Sequence, residues 1–149
     1  MTDSDHLLSL LNFNGFTSVR NLDGVTDKIS RQEVIGEVNT IHWLLGHLIA
    51  TRQSLLDLLG APRHWSADEC ADFGAKGWEE LTAAWAESQE RLAQAIREFT
   101  RWMDVVPTES PDHGEDYGKQ VGFFLLHESY HLGQIGALRR AHGLPGQIG

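Results

Sequence analysis

Trp78, Leu81, Trp85, Ser88, Leu92, Ala95 and Phe99 follow one another at alternating steps of three and four residues. That spacing holds seven side chains on one stripe of a helix, the seam along which helices pack lengthwise in bundles. The small Ser88 and Ala95 leave room within the seam for a close neighbour. Three other segments carry the same period. Leu8, Leu11, Gly15, Val19 and Leu22 predict a helix over residues 4–22. Ile41, Leu44, Leu45, Leu48, Leu55, Leu56 and Leu59 predict a second, starting at Asn39 as N-cap and ended by Gly60 and Pro62. A last helix runs from Tyr117 to Ala141 and closes at His142, Gly143 and Pro145. No run alternates with period two over a useful length. The expectation is an all-α, four-helix bundle forming a single domain over residues 1–149. The loop LDGVTDKIS, the stretch up to Gly77 and the loop VVPTESPDHGED are long enough for at least one crossover connection.

Charge narrows the choice of partners. Lys and Arg number 12 against 21 Asp and Glu, a formal net charge of −9, so most of the surface would repel a phosphate backbone. Neither nucleic acid nor an anionic membrane is an expected partner. The opening MTDSDHLL is acidic where a secretion signal is basic, and no apolar stretch approaches the roughly 20 residues of a membrane span. A cytoplasmic protein is expected. Cys70 is the one cysteine, which excludes an internal disulfide and a cysteine-rich zinc site.

Chemistry is concentrated in the histidines, of which there are eight. In HESYH, His127 and His131 stand one helical turn apart, about 40° in azimuth and about 6 Å in rise, so both imidazoles reach one point beside the helix. The letters match the HExxH of zinc peptidases. Thermolysin-type enzymes need a downstream acidic ligand, yet no Asp or Glu follows Glu128; metzincins need a Gly and a His where Gln134 and Ala137 stand. Their azimuths, beside Phe124, Ile135 and Leu138, place the pair facing into the bundle, where unpaired imidazoles are costly. A third ligand must come from another helix. HWLLGHL on the second helix offers His42 and His47, about 140° apart in azimuth, between which periodicity does not choose.

NTIHWLLGHLIATR and FLLHESYHLGQIGALRRAHG together resemble the DinB-like family, in Asn39, Trp43, Gly46 and His47 on the second helix and His127, His131, Gly133, Gln134, Arg139 and Gly143 on the last. The resemblance implies a four-helix bundle, commonly a homodimer, in which His47, His127 and His131 bind a divalent metal, often zinc or nickel. His42 is then a structural or pocket-lining residue. Members characterised as enzymes resemble transferases and isomerases that use bacillithiol, mycothiol or glutathione as a metal-activated thiol.

Three neutral imidazoles leave a metal its full charge and an open position, the pattern of catalytic zinc sites. A thiol-dependent S-transferase is the expected activity. A metal-dependent hydrolase or a non-catalytic metal- or small-molecule-binding bundle, with His42 closing the site, would use the same ligands. Glu128, at the middle of the last helix's stripe among Val121, Leu125 and Leu132, is a candidate base or partner of a ligand histidine. The competing reading is a buried carboxylate bonded to the first or second helix. Gln134 and Arg139 are read as helix-backbone and dipole residues rather than catalytic ones. Trp43 and Trp65 are candidates to line a pocket or to fill the core.

Overall fold

The computed structural model describes residues 3–34, 36, 38–107 and 113–147. Residues 108–112, the middle of the loop VVPTESPDHGED, lie outside them. Four long helices form the bundle: α1 (Asp3–Leu22), α3 (Ile41–Leu58), α5 (Trp78–Glu98) and α6 (Tyr117–Ala141); α2 (Asp27–Arg31) and α4 (Ala67–Ala71) are single turns between them. No strand forms among the described residues, as the all-α expectation requires. None of their helices is long and apolar enough to cross a membrane.

Side-chain bonds give the direction of each helix. Asn14 and Asn21 of α1 donate to the carbonyls of Leu125 and Leu132 of α6, so these two run parallel. Ser18 and Leu11 of α1 meet Trp85 and Gln89 of α5, an antiparallel pair. His42 and Arg52 of α3 meet Lys76 and Ser88, which makes α3 and α5 parallel. Two consecutive parallel helices require a crossover, and residues 59–77 provide it. Within it, the Ser66 side chain and Glu69 cap each other's backbone at the start of α4, and a 3-10 turn follows at Phe73–Ala75.

Several boundaries differ from the sequence expectation. LDGVTDKIS is not all loop: Thr26 caps α2 and Asp27 pairs with Arg31 one turn on, stabilising a helix too short to show a period. The N-cap of α3 is Thr40, whose hydroxyl accepts from the Trp43 amide, not Asn39. Leu59 is the C-cap, and Gly60 then turns the chain at φ +70°.

The larger correction concerns α1. Val19 is 72% exposed, while Asn14, Ser18 and Asn21 are buried. Each of the three has a side-chain polar atom bonded inside, to Leu125, Trp85 and Leu132 respectively, which offsets the cost of burying it. The inner stripe of α1 is therefore Leu11, Asn14, Ser18 and Asn21, shifted from the apolar one.

Candidate metal centre

His47 sits nearly two turns into α3, and His127 and His131 sit midway along α6. Because α3 and α6 lie side by side, the three imidazoles meet at the seam between them. They are half-buried rather than inward-facing, which corrects the expectation from azimuth. His131 Nε2 lies 3.0 Å from His127 Nε2, which lies 3.4 Å from His47 Nε2. Ligand nitrogens about 2.0–2.1 Å from one metal, at angles between right and tetrahedral, stand about 2.9–3.4 Å apart. The observed separations match that range. Among the described residues these three form the cluster of candidate ligand atoms that could hold a metal ion.

The protonation states suit the role. Burial, then the neighbouring imidazoles of His131 and His127, push His47 down to about 4. Burial, followed by His131, also lowers His127 against the opposing pull of Glu128. Both rings therefore carry a free lone pair at neutral pH. For His131 the tautomer follows from its partner: Nδ1 lies 2.6 Å from Gln134 Oε1, and an amide oxygen only accepts. The Gln134 amide nitrogen in turn donates to the Tyr130 hydroxyl, 3.4 Å away. Nδ1 thus carries the proton and Nε2 is free for a metal, the arrangement usual for metal-bound histidines. His127 Nδ1, by contrast, is buried with no hydrogen-bond partner.

The structure separates His42 from this group. Its Nε2 lies 2.9 Å from the Lys76 carbonyl, and its ring stands beside Trp78, so it ties α3 to the end of the crossover. Trp65 belongs to the core, whereas Trp43 is 39% exposed and stacks on His47 at 4.9 Å. Phe73, from the 3-10 turn, meets Trp43 edge-on and presses against α3 where Gly46 has no side chain. A Cβ at Gly46 would run into that ring, so the glycine is what admits the crossover beside His47.

Glu128 lies next to His127 in sequence but turns inward. Its Oε2 accepts from Arg52 Nε and its Oε1 from Arg52 Nη2, each at 2.8 Å. Arg52 also donates to Ser88 and Gln89 and lies over the Trp85 ring. The neighbour admitted by the small Ser88 is thus a guanidinium. The sequence signal for Arg52 is an arginine nearly one and a half turns beyond His47, on the apolar face of α3. Arg139 does not serve its own helix terminus: it donates to the carbonyls of Arg20, Asn21 and Asp23 and caps α1.

The model of the DinB superfamily matches residues 18–135, a span that includes all three histidines and Gln134. The chain belongs to the DinB superfamily. No curated protein matches the sequence. In this DinB-superfamily chain the HESYH segment supplies two of the three histidines of a cluster shared between two helices.

Proposed function

We propose that this chain is a metal-dependent enzyme of the DinB type, a thiol S-transferase, in which His47, His127 and His131 hold one zinc or nickel ion. The observation that carries the reading is the convergence of three Nε2 atoms, from two helices, at separations suited to one metal. A metal held by three neutral ligands keeps an open position and acidifies a thiol or water that reaches it. The protein's own contribution is to hold the ligands: Gln134 sets the His131 tautomer, and Trp43 fixes the plane of His47. Both Glu128 oxygens are engaged by Arg52, which favours Glu128 as a positioning residue over a base. The sulfur nucleophile would come from a small cosubstrate. Cys70 is half-buried, and burial raises its thiol above the usual range.

The same reading takes the protein as a cytoplasmic homodimer acting on a small molecule. What supports the dimer is the apolar stripe Phe13, Phe16 and Val19, exposed along α1.

Elemental analysis of untagged protein tests the metal. Wild type and His42→Ala are expected to carry about one ion per chain and His47→Ala to lose it. Full retention of metal by His47→Ala would refute the triad. Assays of the loaded protein with and without a low-molecular-weight thiol then separate a transferase from a hydrolase, which needs no thiol.

A further inference from the structure

Away from the metal centre, the start of the crossover is held by one pair of side chains, Gln53 of α3 and His64. Gln53 is fully buried, and its Oε1 accepts from two backbone amides of the crossover, those of His64 at 3.0 Å and Trp65 at 3.2 Å. Turned the other way, the amide would set its NH2 against two N–H groups, so its orientation is fixed. Its Nε2 is then the donor, 3.5 Å from the Ile49 carbonyl and 3.1 Å from His64 Nδ1. The other nitrogen of His64, farther from Gln53 at 3.4 Å, lies 3.1 Å from the Ala84 carbonyl of α5, which only accepts. His64 is therefore a neutral imidazole with its proton on Nε2. That one ring fastens the chain at residues 64 and 65 to both α3 and α5, and beside it Trp65 fills the core.

A second proton on His64 has one place to go. On Nδ1 it would meet an N–H donor instead of a lone pair, and Gln53 could turn to accept it only by giving up both backbone amides. No neighbouring charge offers relief. On α3 the facing side chain is the uncharged Gln53, and Asp57, one turn on, is paired with Arg63. On α5, Glu87 and Arg91 pair with each other, and on α4 Glu69 is held by Lys76. Burial accordingly lowers His64 below the usual imidazole value, against the pull of Glu87 and of the Ala84 carbonyl. At the other end of the crossover, His42 needs only to donate from Nε2 to the Lys76 carbonyl, a bond that protonation leaves in place.

We infer that Gln53 and His64 form an acid-released latch, which holds the start of the crossover against α3 and α5 at neutral pH and lets residues 59–66 lift when His64 takes up a proton. The sign follows from the lowered value: the latch stabilises fully above about pH 6.5, and that stability is lost as the pH falls below it through the folded-state value. The same crossover carries Phe73 to its place against Trp43 and Gly46, so release loosens the aromatic wall beside His47.

Hydrogen-deuterium exchange of the full chain tests the latch, read peptide by peptide at about pH 7.5 and about pH 5 and corrected for the intrinsic rate. Peptides across residues 59–66 are expected to lose protection about fivefold or more at the lower pH, with α1 and α5 unchanged. Gln53→Glu, whose carboxylate accepts from the imidazolium Nδ1–H as well as from the two amides, is expected to abolish the response. His47→Ala, which removes a metal ligand, is expected to keep it, so that loss of a metal in acid is not mistaken for release. Unchanged protection of residues 59–66, a loss spread evenly over the long helices, a response retained in Gln53→Glu, or one abolished in His47→Ala would each overturn the latch.

Discussion

His131 can offer Nε2 because Gln134 holds its other nitrogen, at 2.6 Å. Without that acceptor the imidazole is free to place its proton on either nitrogen, and only one tautomer binds a metal through Nε2. Gln134→Ala is therefore expected to weaken metal binding about 10–100-fold, the usual effect of removing such a partner. Gln134→Glu, which still accepts from Nδ1–H, should keep most of the affinity. Competition with a chromophoric chelator measures both. An unchanged affinity in Gln134→Ala would show that the tautomer is not set by this bond. His127 provides an internal contrast, since its Nδ1 has no partner to lose. The i, i+4 histidine spacing was legible in the sequence, because it is a property of one helix. The choice of His47 over His42 was not, because it depends on how α3 is rotated against α6, and the family resemblance supplied it.

At the scale of elements, the bundle has two apolar halves with a polar layer between them. Leu44, Leu48, Leu81 and Leu132 belong to one half, and Leu55, Leu92, Val121 and Leu125 to the other. Ser18, Arg52, Trp85, Ser88 and Glu128 meet at the middle, so every long helix contributes to the layer. A buried ion pair is a poor source of net stability, but it tolerates no slip between the helices that share it. Here those helices are α3 and α6, which also carry the metal ligands. Removing one partner, as in Glu128→Leu, should cost about 3–5 kcal/mol by leaving a buried guanidinium unpaired, whereas Arg52→Met with Glu128→Leu should restore most of that stability. The double variant is nevertheless expected to bind metal more weakly than wild type, because apolar contacts alone no longer fix the register of His47 against His127. Urea unfolding and metal titration on the same samples check both parts; wild-type affinity in the double variant would remove the register role. This layer also marks where sequence reading stopped. The four long helices were legible because each has an apolar face of helical period. Asn14, Ser18, Asn21 and Arg52 broke that period while pointing inward, and their partners, remote in the chain, are what make the inward orientation affordable. The turns α2 and α4 were illegible for another reason: five residues cannot display a period, and their caps are visible only once the fold brings them into place.

For the molecule as a whole, the acidic surface and the apolar stripe on α1 act against each other. Phe13 and Phe16 are 69% and 56% exposed, on the face of α1 turned away from the core. A stripe of this kind can meet its own copy across a two-fold axis, since such an interface needs one self-complementary surface. Two protomers of charge −9 repel, and that repulsion is screened by salt while the burial of phenylalanine rings is not. The proposed homodimer should accordingly tighten as ionic strength rises, opposite to the behaviour of an interface built on ion pairs. Phe16→Glu adds a like charge on each side of the axis and removes apolar contact, so it should yield a monomer. Because the triad lies between α3 and α6, the monomer should keep the metal content of the wild type. Sedimentation equilibrium across a salt series, with elemental analysis of the same fractions, measures both. A wild-type protein that stays monomeric at tens of micromolar, or a Phe16→Glu variant that still dimerises, would exclude this face of α1 as the interface. Loss of metal in a folded Phe16→Glu monomer would mean that the centre depends on the second copy, and that the three histidines of one chain are not enough.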